Sequence, residues 1–143
     1  MISIKEKVFL TGNIGFPMID LIGKVKKDDI IVMEVSCQQL ENMSKFKPDI
    51  AVMTNLSPAH IDFLKSYENY KRVKAKLFGE QTKNDVAILN KEDKEVLKET
   101  KNIKSTKKYF SSKKKVEGTY LKDNKIYYYD DLVIDRSIVK IAG

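Results

Sequence analysis

Three groups of polar residues stand just past strongly apolar runs. Thr11-Gly12-Asn13-Ile14-Gly15 follows Val8-Phe9-Leu10, and Glu34-Val35-Ser36 closes a run that begins at Ile30. Asn55-Leu56-Ser57 follows the run at 49–53 and leads on to His60 and Asp62. Open parallel sheets bind their ligands beyond the carboxyl ends of the strands, so three such ends point to one kind of site. Residues 12–15 can offer backbone N–H groups to a phosphate, or can form a tight turn that needs the freedom of glycine. Glu34, a charge inside an apolar run, is expected either to pair with a lysine or to hold a hard cation such as Mg²⁺. His60, the only histidine, has the chemistry to contact a phosphate, bind a metal or move a proton, and equally to serve a structural role.

A fourth candidate lies on a helix. Residues 67–82 give the strongest helical pattern, with Tyr67, Tyr70, Lys74, Leu77, Phe78 and Gln81 on one stripe. Lys74 therefore falls on an apolar face. It either snorkels to water or faces a site, where partial desolvation would ease loss of its proton and its chemical modification. Lys71, Arg72 and Lys83 fall off the stripe and are expected at the surface. With one histidine and one cysteine, a structural zinc site is unsupported, and nothing in the sequence sets the Cys37 thiol beside the His60 imidazole.

The elements that would hold these residues alternate. Strands are expected at 8–10, 30–35, 49–53 and 85–89, the later ones buried on both faces as in a parallel sheet. Helices are expected after Pro17, over 38–43, over 67–82 and over 91–101. From residue 105 the pattern changes to strands alone, at 108–110, 118–122, 125–129 and 132–141, with Asp123-Asn124 as a hairpin turn. The expected fold is one α/β domain over 1–143, with an α/β part at 1–104 and antiparallel strands at 105–143.

The chain's 143 residues carry a net charge of +7. The excess is confined to 91–125, where twelve lysines meet six acids; the remainder is nearly balanced. Lysines there alternate with acids as on a solvated helix face, and only Lys113-Lys114-Lys115 is a true cluster. A nucleic-acid or membrane partner is not expected, although a non-catalytic module binding anions through these lysines is the competing reading. No apolar run approaches the length of a membrane span or a signal peptide, and a lone cysteine suits a reducing, cytoplasmic setting.

Taken in order, T-G-N-I-G-F-P at 11–17, E-V-S-C-Q-Q-L at 34–40, N-L-S-P-A-H-I-D at 55–62 and Y-K-R-V-K-A-K-L at 70–77 resemble the central, P-loop NTPase-like domain of the Mur ligases. The Gln39-Leu40 ending is most similar to the D-glutamate-adding branch; another Mur or folylpolyglutamate-type amide ligase is the alternative. The terminal Lys140-Ile141-Ala142-Gly143 resembles the stretch that precedes a His-Asn pair in that family. The resemblance implies an ATP-dependent ligase of peptidoglycan synthesis that joins D-glutamate to UDP-N-acetylmuramoyl-L-alanine. It implies that Gly12 and Asn13 lie near the substrate diphosphate and Ser36 near the muramoyl-alanine. It implies that Glu34 binds Mg²⁺, that His60 contacts metal or substrate, and that Lys74 is carbamylated and helps hold a second Mg²⁺. The family's Gly-Lys-Ser/Thr phosphate loop has no counterpart before Gly12, and Cys37 and Gln38 replace its usual serine and phenylalanine. The chain is therefore expected to be an N-terminally truncated central domain that does not use ATP by itself.

Overall fold

The computed structural model describes residues 7–59 and 61–139, and the chain forms two compact units that divide between Met43 and Ser44. In the first, β1 (Val8–Gly12) pairs in parallel with β2 (Ile30–Glu34), Val8 opposite Ile30 and Gly12 opposite Glu34. The helix expected after Pro17 is a single 3₁₀ turn, Met18–Leu21. Met18, Ile19 and Ile22 are all exposed, so no buried face supports a longer helix there. Gly23, at φ +76°, turns the chain away. The second strand was expected to be buried on both faces and is not: Ile30, Ile31 and Val32 are each 38–48% exposed. Among the described residues this sheet has two strands, and Val8, Leu10, Ile30, Ile31 and Val32 are all exposed. A short helix, α1 (Cys37–Asn42), completes this unit with Cys37 and Leu40 buried.

The second unit is built on a six-stranded sheet of order β3 (Ile50–Met53), β4 (Val86–Asn90), β5 (Thr106–Ser111), β6 (Gly118–Lys122), β7 (Lys125–Tyr128), β8 (Asp131–Asp135). The pairs from β3 to β6 are parallel; β6, β7 and β8 form an antiparallel meander. The antiparallel section thus begins later than the change of pattern at 105 suggested, because β5 joins β4 in parallel and β6 follows suit. A crossover between parallel strands ordinarily needs a dozen or more residues. Here the link 112–117 suffices because β5 and β6 overlap only from Tyr109 opposite Gly118 to Ser111 opposite Tyr120. Gly118 permits that approach: at φ +140°, a Cβ there would lie 2.1 Å from the Tyr109 carbonyl. The hairpin between β6 and β7 turns on Asp123 and Asn124, both left-handed at φ 48° and 58°, as a two-residue turn of this kind requires. The last strand ends at Asp135 in a 3₁₀ turn, Arg136–Ile138, rather than running on; residues 140 and 141 lie outside the described residues.

Three helices accompany the parallel strands: α2 (Ile61–Leu64), α3 (Tyr67–Ala75) and α4 (Lys94–Glu99). The first of these was not expected, and the helix predicted over 67–82 stops at Ala75 and tightens into a 3₁₀ turn at Lys76–Phe78. Ser66 caps α3 by accepting from the Asn69 N–H, and Asp93 caps α4 by accepting from the Val96 N–H. Tyr70, Val73, Phe78, Leu89 and Val96 are core residues.

Lys71 corrects the surface placement expected for it. Its side chain is 3% exposed, and its ammonium lies 2.8 Å from both Glu68 and Glu95 and 3.7 Å from Glu99. It also stands 4.9 Å from the centre of the Tyr67 ring. A buried cation is tolerable only when paired and hydrogen-bonded. The Glu68 and Glu95 carboxylates hold the Lys71 ammonium well above the usual lysine range. Lys71 thereby ties α3 to α4.

Two carboxylates brace the sheet. Asp85 accepts from the Thr82 N–H at 2.6 Å and from the Lys47 ammonium at 3.0 Å, and these partners, the Thr82 N–H foremost, hold its carboxyl below the usual range. Glu92 is lowered in the same way, chiefly by the Ser111 hydroxyl. A depressed folded-state pKa gives stability that is complete above the ordinary value, 3.8 for Asp85 and 4.5 for Glu92, and is lost as pH falls through that value toward the depressed one. Thermal melts from about pH 6 down to about pH 3 should therefore show falling stability, with a shallower fall for Asp85→Asn. An identical acid limb in that variant would contradict this assignment. The exposed apolar residues of β1 and β2 lead to a second expectation: the amides of these strands should exchange at least about tenfold faster than those of β4.

Candidate functional site

In the first unit the motif residues meet at the carboxyl ends of β1 and β2. Gly12 is at φ +125°, and a Cβ on it would lie 2.1 Å from the Glu34 carbonyl oxygen. No other residue lets the two strand ends approach this closely. The Gly12 N–H donates to the Phe16 carbonyl at 3.1 Å, and the Asn13 N–H donates to the Glu34 carbonyl at 2.9 Å. Thr11, fully buried, donates its hydroxyl to the same Phe16 carbonyl. Two of the amides that might have cradled a phosphate are thus used within the turn. What the corner presents outward is side chain: Asn13 Nδ2 lies 3.4 Å from Glu34 Oε1, and both residues are exposed. Of the two expectations for Glu34, pairing with a lysine is not seen among the described residues, and the carboxylate is exposed at the last position of β2. An exposed carboxylate steered by an amide is a suitable hard ligand for Mg²⁺, which needs only one or two such groups together with water and phosphate oxygens. Among the described residues no group of three or more carboxylates, cysteines or histidines forms a cage of its own.

Ser36 is the N-cap of α1. Its hydroxyl accepts from the Gln39 N–H at 3.3 Å, while the Gln39 side chain accepts from the Ser36 N–H at 2.9 Å. This reciprocal capping box gives the Ser36 and Gln39 of the E-V-S-C-Q-Q-L motif a local structural reason, and S-x-x-Q is its sequence signature. Leu40 anchors the helix by burial, and the Cys37 thiol is buried beside it.

In the second unit Lys74 is half-buried on α3, its ammonium 6.0 Å from the centre of the Tyr70 ring. The two lysines of this helix have exchanged the roles that periodicity suggested: Lys71 is enclosed by acids, and Lys74 is the more accessible. The sequence pattern of α3 alone could not show this, since Glu95 and Glu99 come from a different helix. His60 lies outside the described residues, but the loop before it is firmly held. Asn90 donates its side-chain amide to the Thr54 carbonyl at 2.9 Å, Asp93 accepts from the Leu56 N–H at 2.9 Å, and the Tyr67 hydroxyl donates to the Leu56 carbonyl at 2.8 Å. Asn90 and Asp93 were not singled out in the sequence, and Tyr67 was named only as part of the helical stripe. The one available signal was Asp93 directly before a helical stretch, the mark of an N-cap.

Some lysines of the rich stretch have partners within the chain. Lys108 pairs with Glu117, Lys115 with Asp130, and Lys91 stands 4.0 Å from the centre of the Tyr109 ring. Among the described residues no helix is long and apolar enough to cross a membrane.

Residues 7–139 match the model of the Mur ligase middle domain. A UDP-N-acetylmuramoylalanine–D-glutamate ligase of Streptococcus uberis is 36% identical over 138 residues, which are 96% of this chain and 30% of that protein. Its counterpart in Elusimicrobium minutum is 47% identical over 100 residues, or 70% and 22% of the two chains. The crystal structure of a MurF ligase from Thermotoga maritima in complex with ADP superposes with a TM-score of 0.63 at 20% identity, covering 90% of this chain and 34% of that one. The chain thus spans about a third or less of the length of these relatives.

The two lysines of α3 provide a direct check on the site's layout. Lys71→Ala should lower the melting temperature clearly, because it strands Glu95 and Glu99 without their cation. Lys74→Ala should leave it nearly unchanged. Equal losses in both variants would mean that Lys74, too, is a structural residue.

Proposed function

Because the chain belongs to the Mur ligase family through its middle domain, we propose that it is the central part of an ATP-dependent amide ligase that adds D-glutamate to UDP-N-acetylmuramoyl-L-alanine. The single observation that carries this reading furthest is the corner where Gly12, Asn13 and Glu34 meet, with Glu34 free to hold a cation at a strand end. The similarity to D-glutamate ligases over nearly the whole chain supports the choice of amino acid.

In this reading Glu34 would hold one Mg²⁺ and a carbamylated Lys74 would help to hold a second, and such ions would supply neutralisation of phosphate charge. Carbamylation joins the neutral Lys74 amine to the carbon of CO₂ with loss of a proton, and turns a cationic side chain into a carboxylate-like ligand. The half-buried setting of Lys74 fits a group that must be reached by CO₂ and then face a cation. Asn13 orients Glu34 and contacts the substrate diphosphate together with Gly12. Ser36 would contact the muramoyl-alanine, and His60 would contact a metal ion or the substrate near its reacting carboxyl. The substrate carboxylate takes the γ-phosphoryl group of ATP to become an acyl phosphate; the amine of D-glutamate then attacks the carbonyl carbon and phosphate leaves. ATP itself is held by residues other than these, since the sequence has no Gly-Lys-Ser/Thr. The reading places the protein in the cytoplasm, where its nucleotide substrates are made.

The test is a ligase of family length carrying these residues, assayed with ATP, Mg²⁺ and UDP-N-acetylmuramoyl-L-alanine against a panel of amino acids. Product is expected with D-glutamate alone, and Glu34→Gln or Lys74→Ala should lower kcat by about two orders of magnitude or more. Product with lysine or diaminopimelate instead would overturn the choice of amino acid, and no product with any of them would overturn the ligase reading.

A further inference from the structure

The loop that runs from the end of β3 toward His60 is held by a carboxylate with two separate duties. Asp93 Oδ1 accepts from the Val96 N–H at 3.0 Å and so caps α4. Asp93 Oδ2 accepts from the Leu56 N–H at 2.9 Å, across 37 residues of sequence. Leu56 is buried, so its N–H has no ready access to water and depends on that oxygen. Its carbonyl is fixed from another direction by the Tyr67 hydroxyl, and the carbonyl of Thr54 by Asn90. The loop backbone is therefore bound at three points by three side chains from three different places: the end of β4, the cap of α4 and the first turn of α3.

A cap needs one oxygen. Serine, threonine or asparagine would serve α4 about as well. Only a carboxylate offers a second acceptor at the same time, because the other half of an asparagine amide is a donor. We propose that Asp93 is a positioning residue, whose second oxygen sets the backbone of the loop after β3 that carries Asn55 and Ser57 of the N-L-S-P-A-H-I-D motif. This deepens the ligase reading, since it gives that reading a residue that acts on the site without touching a substrate. The clamp itself stands on geometry that does not depend on the ligase reading.

The informative variant is Asp93→Asn. If its amide oxygen keeps the cap, its NH₂ faces the Leu56 N–H, donor against donor; if it turns around, the cap is lost. Asp93→Ser keeps a capping oxygen with no second acceptor, and guards against a flipped amide. In the whole chain, amide exchange at Leu56 should rise at least about tenfold in both variants, while Val96 and the other α4 amides keep their protection. His60 is the only histidine, so its imidazole resonances are a unique marker of the loop's far end, and they should shift. In the family-length ligase, both variants should lower kcat at least about tenfold with KM for the UDP-sugar changed less than about twofold.

Unchanged exchange at Leu56 would overturn the proposal, as would an equal loss of protection along α4 in both variants, which would reduce Asp93 to a cap. Raised exchange with the His60 signals and kcat both unmoved would overturn it as well, by showing that the loop holds its place without this bond. Should the unmutated family-length protein make no amide product, the ligase reading fails by itself. Leu56 exchange and the His60 signals then decide the clamp.

Discussion

The parallel pairing of β3, β4 and β5 is the constraint on which the second unit depends. Three strands running the same way bring Met53, Asn90 and Ser111 to one end of the sheet, and the loops that follow them emerge side by side. Loops are polar and need partners for their backbone groups. The partners come from three residues at and just past the end of β4. Asn90 and Asp93 reach to the loop after β3, at Thr54 and Leu56. Glu92 reaches the other way, to the Ser111 and Ser112 hydroxyls and the Lys113 N–H. The central strand thus ends in a hub that binds its neighbours' loops on both sides. Ala87 and Leu89, fully buried, keep that strand in place.

The helices repeat this logic with charge. Lys71 sits at the meeting of α3 and α4 and gathers Glu68, Glu95 and Glu99 around one ammonium. With α4 also tied by the cap at Asp93, the start of that helix has little freedom relative to the loop before His60. Lys74, one turn further along α3, is carried by this rigid base and remains accessible. A lysine that serves structure and a lysine that suits chemistry stand three residues apart, and the difference between them is the set of acids that one of them meets.

Much of the fold was legible in the sequence. Apolar runs located every strand, most of them to within about two residues, although β8 ends at Asp135 well before the expected end at 141, and Asp123-Asn124 marked the hairpin because few residues accept its left-handed backbone. The meeting of Gly12, Asn13 and Glu34 was foreshadowed by their positions after two such runs. Three things were not legible. The parallel entry of β5 and β6 depends on how far two strands overlap, and no local pattern encodes that. The burial of Lys71 depends on carboxylates from another helix. The exposure of β2 depends on what lies over its faces, whereas its sequence records only that it is apolar. The S-x-x-Q capping box was in plain view at 36–39, but a motif read for chemistry hid its local structural use.

In the proposed function the strand-end corner at Gly12, Asn13 and Glu34 is part of the substrate site of a family-length ligase. The most direct measurement is calorimetric titration of UDP-N-acetylmuramoyl-L-alanine, with and without Mg²⁺, into this chain and into the chain extended to that length. Mg²⁺-strengthened binding by the extended protein is expected, lost in Glu34→Gln, with none by residues 1–143 alone. An extended protein that does not bind the UDP-sugar, or binds it equally well without Glu34, would contradict the proposed function.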